Sequence, residues 1–275
     1  MKKYYCFVDV LVSLFAMVVV AGPTSSAETT ALDEKCAEMI KKMADYLEAQ
    51  PEFSLAVEVA DERLTISNEK IEIKRSGKAV IKRSNKMKME ATQGEERREL
   101  FYDGAQLTLV DTARNLYARA AVSGSNTVAL DYAMDELDFT MPLADFIVDD
   151  LYKNFTTNVE TSEYIGITTI EDVACHHLAF EQEEIDWQMW IEDGVTPLPK
   201  KLIITYKHLP LAPEFRVIFV TWDFTTEIPD ETFIFVTPQG AEEVEFITIA
   251  EDEEEIKENI IEEEFEQDIA TTDTL

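Results

Sequence analysis

From Phe53 to Ala120 apolar and polar side chains trade places at every second residue, in run after run with only short turns between them. A period of two marks strands whose neighbouring side chains point to opposite faces. Connections this short cannot make parallel crossovers, so the runs must pair as an antiparallel meander. Phe53, Leu55, Val57 and Val59 open the series, and candidate strands follow at 63–67, 70–75, 78–83, 86–92 and 97–103. Asp103 and Gly104 supply a tight turn into 106–111, and 115–120 reads as a further strand. The pattern resumes at 164–167, 176–181, 187–192, 202–207, 215–224 and 233–236. A sheet of so many strands twists and cannot stay flat.

Two stretches break the alternation. Leu32, Cys36, Met39, Ile40, Met43 and Leu47 recur at helical spacing behind Asp33, and Gln50 and Pro51 end that helix. Between Thr127 and Tyr152 the apolar residues recur as two short amphipathic helices inserted between strands. The economical solution is an α+β fold in which a strongly curved antiparallel sheet wraps around those helices. No fixed-period repeat is present, which disfavours solenoids and propellers.

Residues 175–207, CHHLAFEQEEIDWQMWIEDGVTPLPKKLIITYK, show the alternation most fully. Trp187, Met189 and Ile191 share one face of their strand, opposite Gln188, Trp190 and Glu192. Leu202, Ile204 and Tyr206 share a face of the next. Large apolar side chains at such positions, with Phe215, Phe219 and Trp222 on the following strand, suit either a packed core or the wall of a cavity. The candidate ligand-binding set is therefore Trp187, Met189, Ile191, Leu202, Ile204, Tyr206, Phe219 and Trp222.

The N-terminus carries Lys2 and Lys3, an apolar run from Val10 to Ala21, and Ser25, Ser26 and Ala27 ahead of Glu28. This is the layout of a secretory signal cleaved after Ala27. The run is shorter than the roughly 20 residues of a membrane span, so no transmembrane segment is expected after cleavage. Removing residues 1–27 takes away Lys2, Lys3 and Asp9, leaving 22 of 24 basic and 55 of 56 acidic side chains, a net charge of about −33. Such a chain repels nucleic acid and anionic lipid surfaces. The exported part keeps Cys36 and Cys175, which an oxidising compartment permits to pair as a disulfide; two buried free thiols are the other reading. Residues 28–250 form one domain, and 251–275, with twelve acids and one lysine, an acidic tail.

Signals for chemistry are sparse. His176 and His177 are neighbours on a strand and face opposite ways, and neither HExxH nor CxxC spacing accompanies them, so no metal site is expected. There is no GxSxG elbow, no GxGxxG and no phosphate loop. The chain reads as non-enzymatic and without a cofactor.

The segments KKMADYLEAQPEFSL (41–55), LFYDGAQLTLVD (100–111), MPLADF (141–146), CHHLAFEQEEIDWQMWIEDG (175–194) and PLPKKLIITYK (197–207) resemble those of the periplasmic domain-of-unknown-function family 2092. The resemblance spans residues 31–246. That family is similar to the lipoprotein-carrier superfamily of LolA, LolB and LppX. The resemblance implies an unclosed half-barrel, its concave face covered by helices and holding acyl chains, in a periplasmic protein that binds or carries a lipid or lipoprotein. It matches no lid-locking arginine, no cargo-contact residue and no catalytic residue. The alternative is an envelope interaction or stress-sensing module that engages a protein partner through its convex face or acidic tail.

Overall fold

The computed structural model describes residues 32–136 and 143–246. The expected signal at 1–27 and the expected acidic tail at 251–275 lie outside the described residues. Strands β1 (Glu52–Leu64), β2 (Lys70–Lys82), β3 (Lys86–Gln93), β4 (Glu96–Tyr102), β5 (Gln106–Asp111) and β6 (Leu116–Ala121) form one antiparallel meander. A second comprises β7 (Thr161–Ile170), β8 (Val173–Glu181), β9 (Ile185–Glu192), β10 (Pro199–Tyr206) and β11 (Glu214–Asp223). β1 pairs with β11, which fuses the two meanders into one curved, unclosed sheet. Its register slips at Ala56/Val57 on β1, at Tyr164/Gly166 on β7 and at Pro199/Lys201 on β10. Such bulges bend a strand and sharpen its twist, and so curve the sheet.

Several boundaries differ from the sequence expectation. The runs at 70–75 and 78–83 are one strand, because Gly77 stays in the ladder opposite Val57 and Ala91. The run at 63–67 is the end of β1 and the turn after it, where Asn68 takes a positive φ of 59°. Residues 233–236 are not a strand. A 3₁₀ turn at Asp230–Phe233 leads instead into a segment that crosses the convex face, with Phe235 set against Phe101 and Tyr117 at 5.6 and 5.0 Å. Asp230 accepts from Lys82 and Lys86, both at 2.6 Å, and Glu243 takes two bonds from Arg119. The segment ends as β12 (Glu242–Glu243), parallel to β6, and shields that edge. Gly104 makes the β4–β5 turn at φ 98°, where a Cβ would lie 2.4 Å from the Asn85 side chain.

The helices lie against the concave face. Helix α1 (Glu34–Glu48) is capped by Asp33, which accepts from Lys35 and Cys36 N–H, while the Asp33 N–H reaches Ser162 on β7 at 2.7 Å. Its buried stripe is Cys36, Met39, Ile40, Met43, Ala44 and Leu47, the stripe expected from spacing with Ala44 added and Leu32 left outside the helix, ahead of its cap. Helix α2 (Asn126–Asp135), a 3₁₀ turn at Ala144–Phe146 and helix α3 (Leu151–Thr156) belong to the link from β6 to β7. Those strands stand towards opposite borders of the sheet. The link must therefore run from border to border, and it does so as a cover.

Arg83 fastens that cover. Its Nε donates to Leu47 O at 3.0 Å, closing the C-terminal end of α1, and Nη1 and Nη2 donate to Ile147 O and Phe146 O at 3.4 and 3.3 Å. The guanidinium also lies 5.2 Å from the centre of the Phe53 ring. The family resemblance matches no arginine to such a role, and the structure supplies one. Within the cover, Asn154 Nδ2 donates to Asp145 at 2.7 Å, and Leu151 N–H donates to Glu48 at 2.6 Å.

Arg83→Ala should destabilise the fold by about 2–4 kcal/mol in urea titrations, because three carbonyls lose a charged donor. Arg83→Lys should recover little, since an ammonium cannot reproduce the planar fork. Burial lifts the Asp145 carboxyl above its ordinary 3.8, with the Asn154 bond pulling the other way. The folded state thus keeps a proton that the unfolded chain releases first, and this group's contribution is lost as pH rises from 3.8 through the raised value. The stability of Asp145→Asn relative to the native chain should accordingly grow with pH across that window, as read by urea melts from about pH 3.5 to 7.

Candidate functional site

A cavity of about 500 Å³ lies between the first meander and the cover. Its floor alternates inward from five strands: Leu55, Val57 and Val59 on β1, Gly77 and Ala79 on β2, Met89 and Ala91 on β3, Leu100 on β4 and Leu109 on β5. Leu143, Ala144, Phe146 and Ile147 roof it, and Tyr206, Phe215 and Phe219 close the side towards the second meander. The void exists because Gly77, Ala79 and Ala91 sit side by side in register on neighbouring strands, where larger residues would fill the space. At Gly77 even a Cβ would come within 2.9 Å of Val57 Cγ2.

The candidate residues divide between cavity and core. Tyr206 and Phe219 line the cavity. Ile204, with Tyr206 again, borders a second hollow of about 340 Å³ beside Asp131, Asp145 and Asp149. Trp187 stacks on Phe180 at 3.8 Å and meets Phe155 of α3 at 6.0 Å, so helix and sheet close directly upon it. Met189, Ile191 and Leu202 are buried in the same packed core. Trp222 stacks between Phe219 and Phe224 and donates its Nε1–H to Pro199 O at 3.2 Å. The core around Trp187 is solid, and the 500 Å³ cavity has its floor on the half with small side chains. The signal is present in the sequence as Gly77, Ala79 and Ala91 at inward positions, but their adjacency requires the register.

Charge gathers at one end of the cavity. Asp61, only 6 % exposed, accepts from Arg63 Nε at 3.0 Å and from Arg75 Nη2. Nearby Tyr206 has its hydroxyl pushed up to about 12, first by burial and then by the negative charge of Asp61, so it stays a neutral donor. Arg98 enters the same wall one strand pair further on, with Asp111 at 3.9 Å and Arg114 bonded to that carboxylate at 2.9 Å. Glu62, also on the border, faces outward to Lys70 and Arg216.

The histidines serve structure. His176 bonds Tyr164 through Nδ1 at 2.8 Å and Asp193 through Nε2 at 3.1 Å, and His208 reaches Glu183 O at 2.6 Å. On the convex face His177 bonds Gln188 and stacks on Trp190 at 4.1 Å, while Lys201 sits 4.5 Å from the Trp190 ring. That ladder buries the outward tryptophan. Among the described residues no cluster of three or more His, Cys, Asp or Glu could hold a metal. Cys36 and Cys175 do not pair as an oxidising compartment would permit; both are free and buried. Their thiols serve local contacts, Cys36 beside the Asp33 cap and Cys175 bonded to Val173 O at 3.4 Å.

Among solved structures, the chain is similar to an uncharacterised conserved protein from Thermus thermophilus, at 9 % identity and TM-score 0.45 over 77 % of this chain and 99 % of that one. It is also similar to LprF from Mycobacterium bovis, at 9 % identity and TM-score 0.43 over 71 % and 96 %. A LolA superfamily protein from Nitrosomonas europaea matches at 10 % identity and TM-score 0.38 over 72 % and 96 %. No curated protein matches the chain. The family model described as "Predicted periplasmic protein (DUF2092)" matches residues 36–247, and the chain belongs to that family.

Proposed function

We propose that this protein is an exported, periplasmic binder or carrier that buries an acyl chain of a lipid or lipoprotein in the cavity under its helical cover and performs no chemistry on it. The cavity carries the reading. Its volume falls within the roughly 300–1,000 Å³ of small-molecule sites, and its floor and roof are hydrocarbon side chains. Each buried methylene stabilises a bound chain by about 0.8 kcal/mol, so shape and burial suffice for tight binding. The family's periplasmic description and the N-terminal sequence support the location. A protein partner in the envelope is the second reading, favoured by the outer strand β7, which exposes Ile165 and Ile167.

Native mass spectrometry and lipid extraction of protein purified from a bacterial envelope should show a co-purifying lipid. A protein that is reproducibly empty and takes up no fluorescent fatty-acid probe overturns the proposal. Ala91→Trp should fill the floor, and excluding only two methylenes would weaken probe binding roughly tenfold. Unchanged affinity in a well-folded Ala91→Trp protein would place the chain elsewhere.

A further inference from the structure

The two borders of the sheet are finished differently. At one, the C-terminal segment lies beside β6 and ends as β12. At the other, β7 pairs with β8 along its whole length, from Thr161 opposite Glu181 to Ile170 opposite Val173, and no described strand pairs with its outer side. An open edge offers a row of backbone donors and acceptors to any extended chain, and proteins guard such edges with lysine, proline or a bulge. β7 contains neither lysine nor proline. Its bulge at Tyr164/Gly166 still leaves Gly166 to Ile170 in unbroken register, and Ile165 and Ile167 are 47 % and 52 % exposed. The charge around this edge has one sign. No lysine or arginine occurs between Lys153 and Lys200, a stretch that spans β7, β8 and β9 and holds ten acids. Lys207 takes up Asp186, His176 bonds Asp193, and Lys35 of α1 is held by Glu38 at 3.0 Å, whereas Glu160, Glu163, Glu171 and Asp172 form no ion pair among the described residues. Glu171 and Asp172 make the β7–β8 turn at φ 47° and 66°, a backbone that ordinarily selects asparagine and glycine, so these carboxylates stand against the local preference.

We infer that β7 docks an extended, basic segment of a partner protein, added to the sheet as one more strand. The segment's backbone pairs with β7, its β-branched or aromatic side chains cover Ile165 and Ile167, and its lysines or arginines meet Glu160, Glu163, Glu171 and Asp172. The inference rests on the protein-partner reading, to which it adds the surface and the partner's chemistry, and it does not depend on chain binding. Strand addition draws affinity from main-chain hydrogen bonds and specificity from alternate side chains. A second copy fits poorly: full antiparallel overlap of two β7 strands sets Glu160 against Glu171 at both ends, and like charges placed opposite one another destabilise a strand pair. The chain's own segments outside the described residues fit no better, since 28–31, 137–142 and 247–275 bring Lys257 as their single cation.

Fluorescence anisotropy with the full exported chain tests the inference through three labelled probes: a peptide of alternating valine and threonine with paired lysines at each end, the same peptide with glutamates for the lysines, and the lysine peptide with a central proline. The lysine peptide should bind at least about tenfold more tightly than either of the others, which lose the charge match or a backbone donor. Its binding should slow amide exchange across 161–170 and leave 116–121 of β6 unchanged. Ile167→Ser, or Glu163→Gln combined with Glu171→Gln and Asp172→Asn, alters only exposed side chains and should weaken binding by about threefold or more while the melting temperature holds. Equal affinities for the lysine and glutamate peptides or for the lysine and proline peptides, protection outside β7, or no binding would overturn the inference. Concentration-dependent protection of 161–170 in the free protein would make a second copy the occupant and overturn it as well. If no peptide binds at β7, photo-crosslinkers in the bacterial envelope separate the two readings. A protein adduct from Val236, exposed on the segment that crosses the convex face, would keep a protein partner at another surface, and no adduct from either Val236 or Ile165 would overturn that reading too.

Discussion

The pairing of β1 with β11 is the interaction on which the rest of this molecule depends. It joins the first strand of one meander to the last strand of the other along registered partners from Ser54 to Asp61. One sheet results, with β6 and β7 carried far apart. Because the chain must still travel from β6 to β7, the intervening residues have to cross a face of the sheet, and they take the concave one. The need for a cover therefore follows from topology, and Arg83 makes the crossing stable by serving carbonyls of both α1 and the cover with one guanidinium. A lone buried cation is costly; here the charge meets three oxygens and an aromatic face.

Side-chain size decides where that enclosed space remains open. On the second meander Phe180, Trp187 and Phe155 meet ring to ring, and Met189, Ile191 and Leu202 close the gaps around them. On the first, Gly77, Ala79 and Ala91 fall next to one another across β2 and β3 and cannot reach the roof. The two halves share a backbone plan and differ in what fills it. Electrostatics divides along the same line. Thirteen of the 24 lysines and arginines lie between Arg63 and Arg119, so the first meander is the basic part of an acidic chain. Its convex side takes Asp230 and Glu243 from the C-terminal crossing segment, and its concave side presents guanidiniums to the cavity.

Much of the fold was legible because the patterns behind it are local. The spacing of Cys36 to Leu47 specified α1 and its buried face, and Asp33 its cap. Alternation located all eleven long strands, although it split β2 at Gly77, where glycine sits inside a ladder and not at a turn. The run at 233–236 misleads for a similar reason. Phe233 and Phe235 look like strand residues, yet they pack across strands whose hydrogen-bonding partners are already taken.

The candidate site was legible only in part, and its limits are physical. A large aromatic residue on an inward face can line a hollow or abolish one, and sequence does not separate the cases; Phe219 and Tyr206 line the cavity, whereas Trp187 seals the core. By itself the sequence determined the strands, the helical insert, the charge and the family, since each is written in short-range periodicity or composition. Only the tertiary structure decided that Gly77 and Ala91 stand side by side, that Asp61 gathers Arg63 and Arg75 at one end of the void, and that Cys36 and Cys175 stay apart. These facts depend on register between strands and on which edges meet, quantities that no single segment of chain contains.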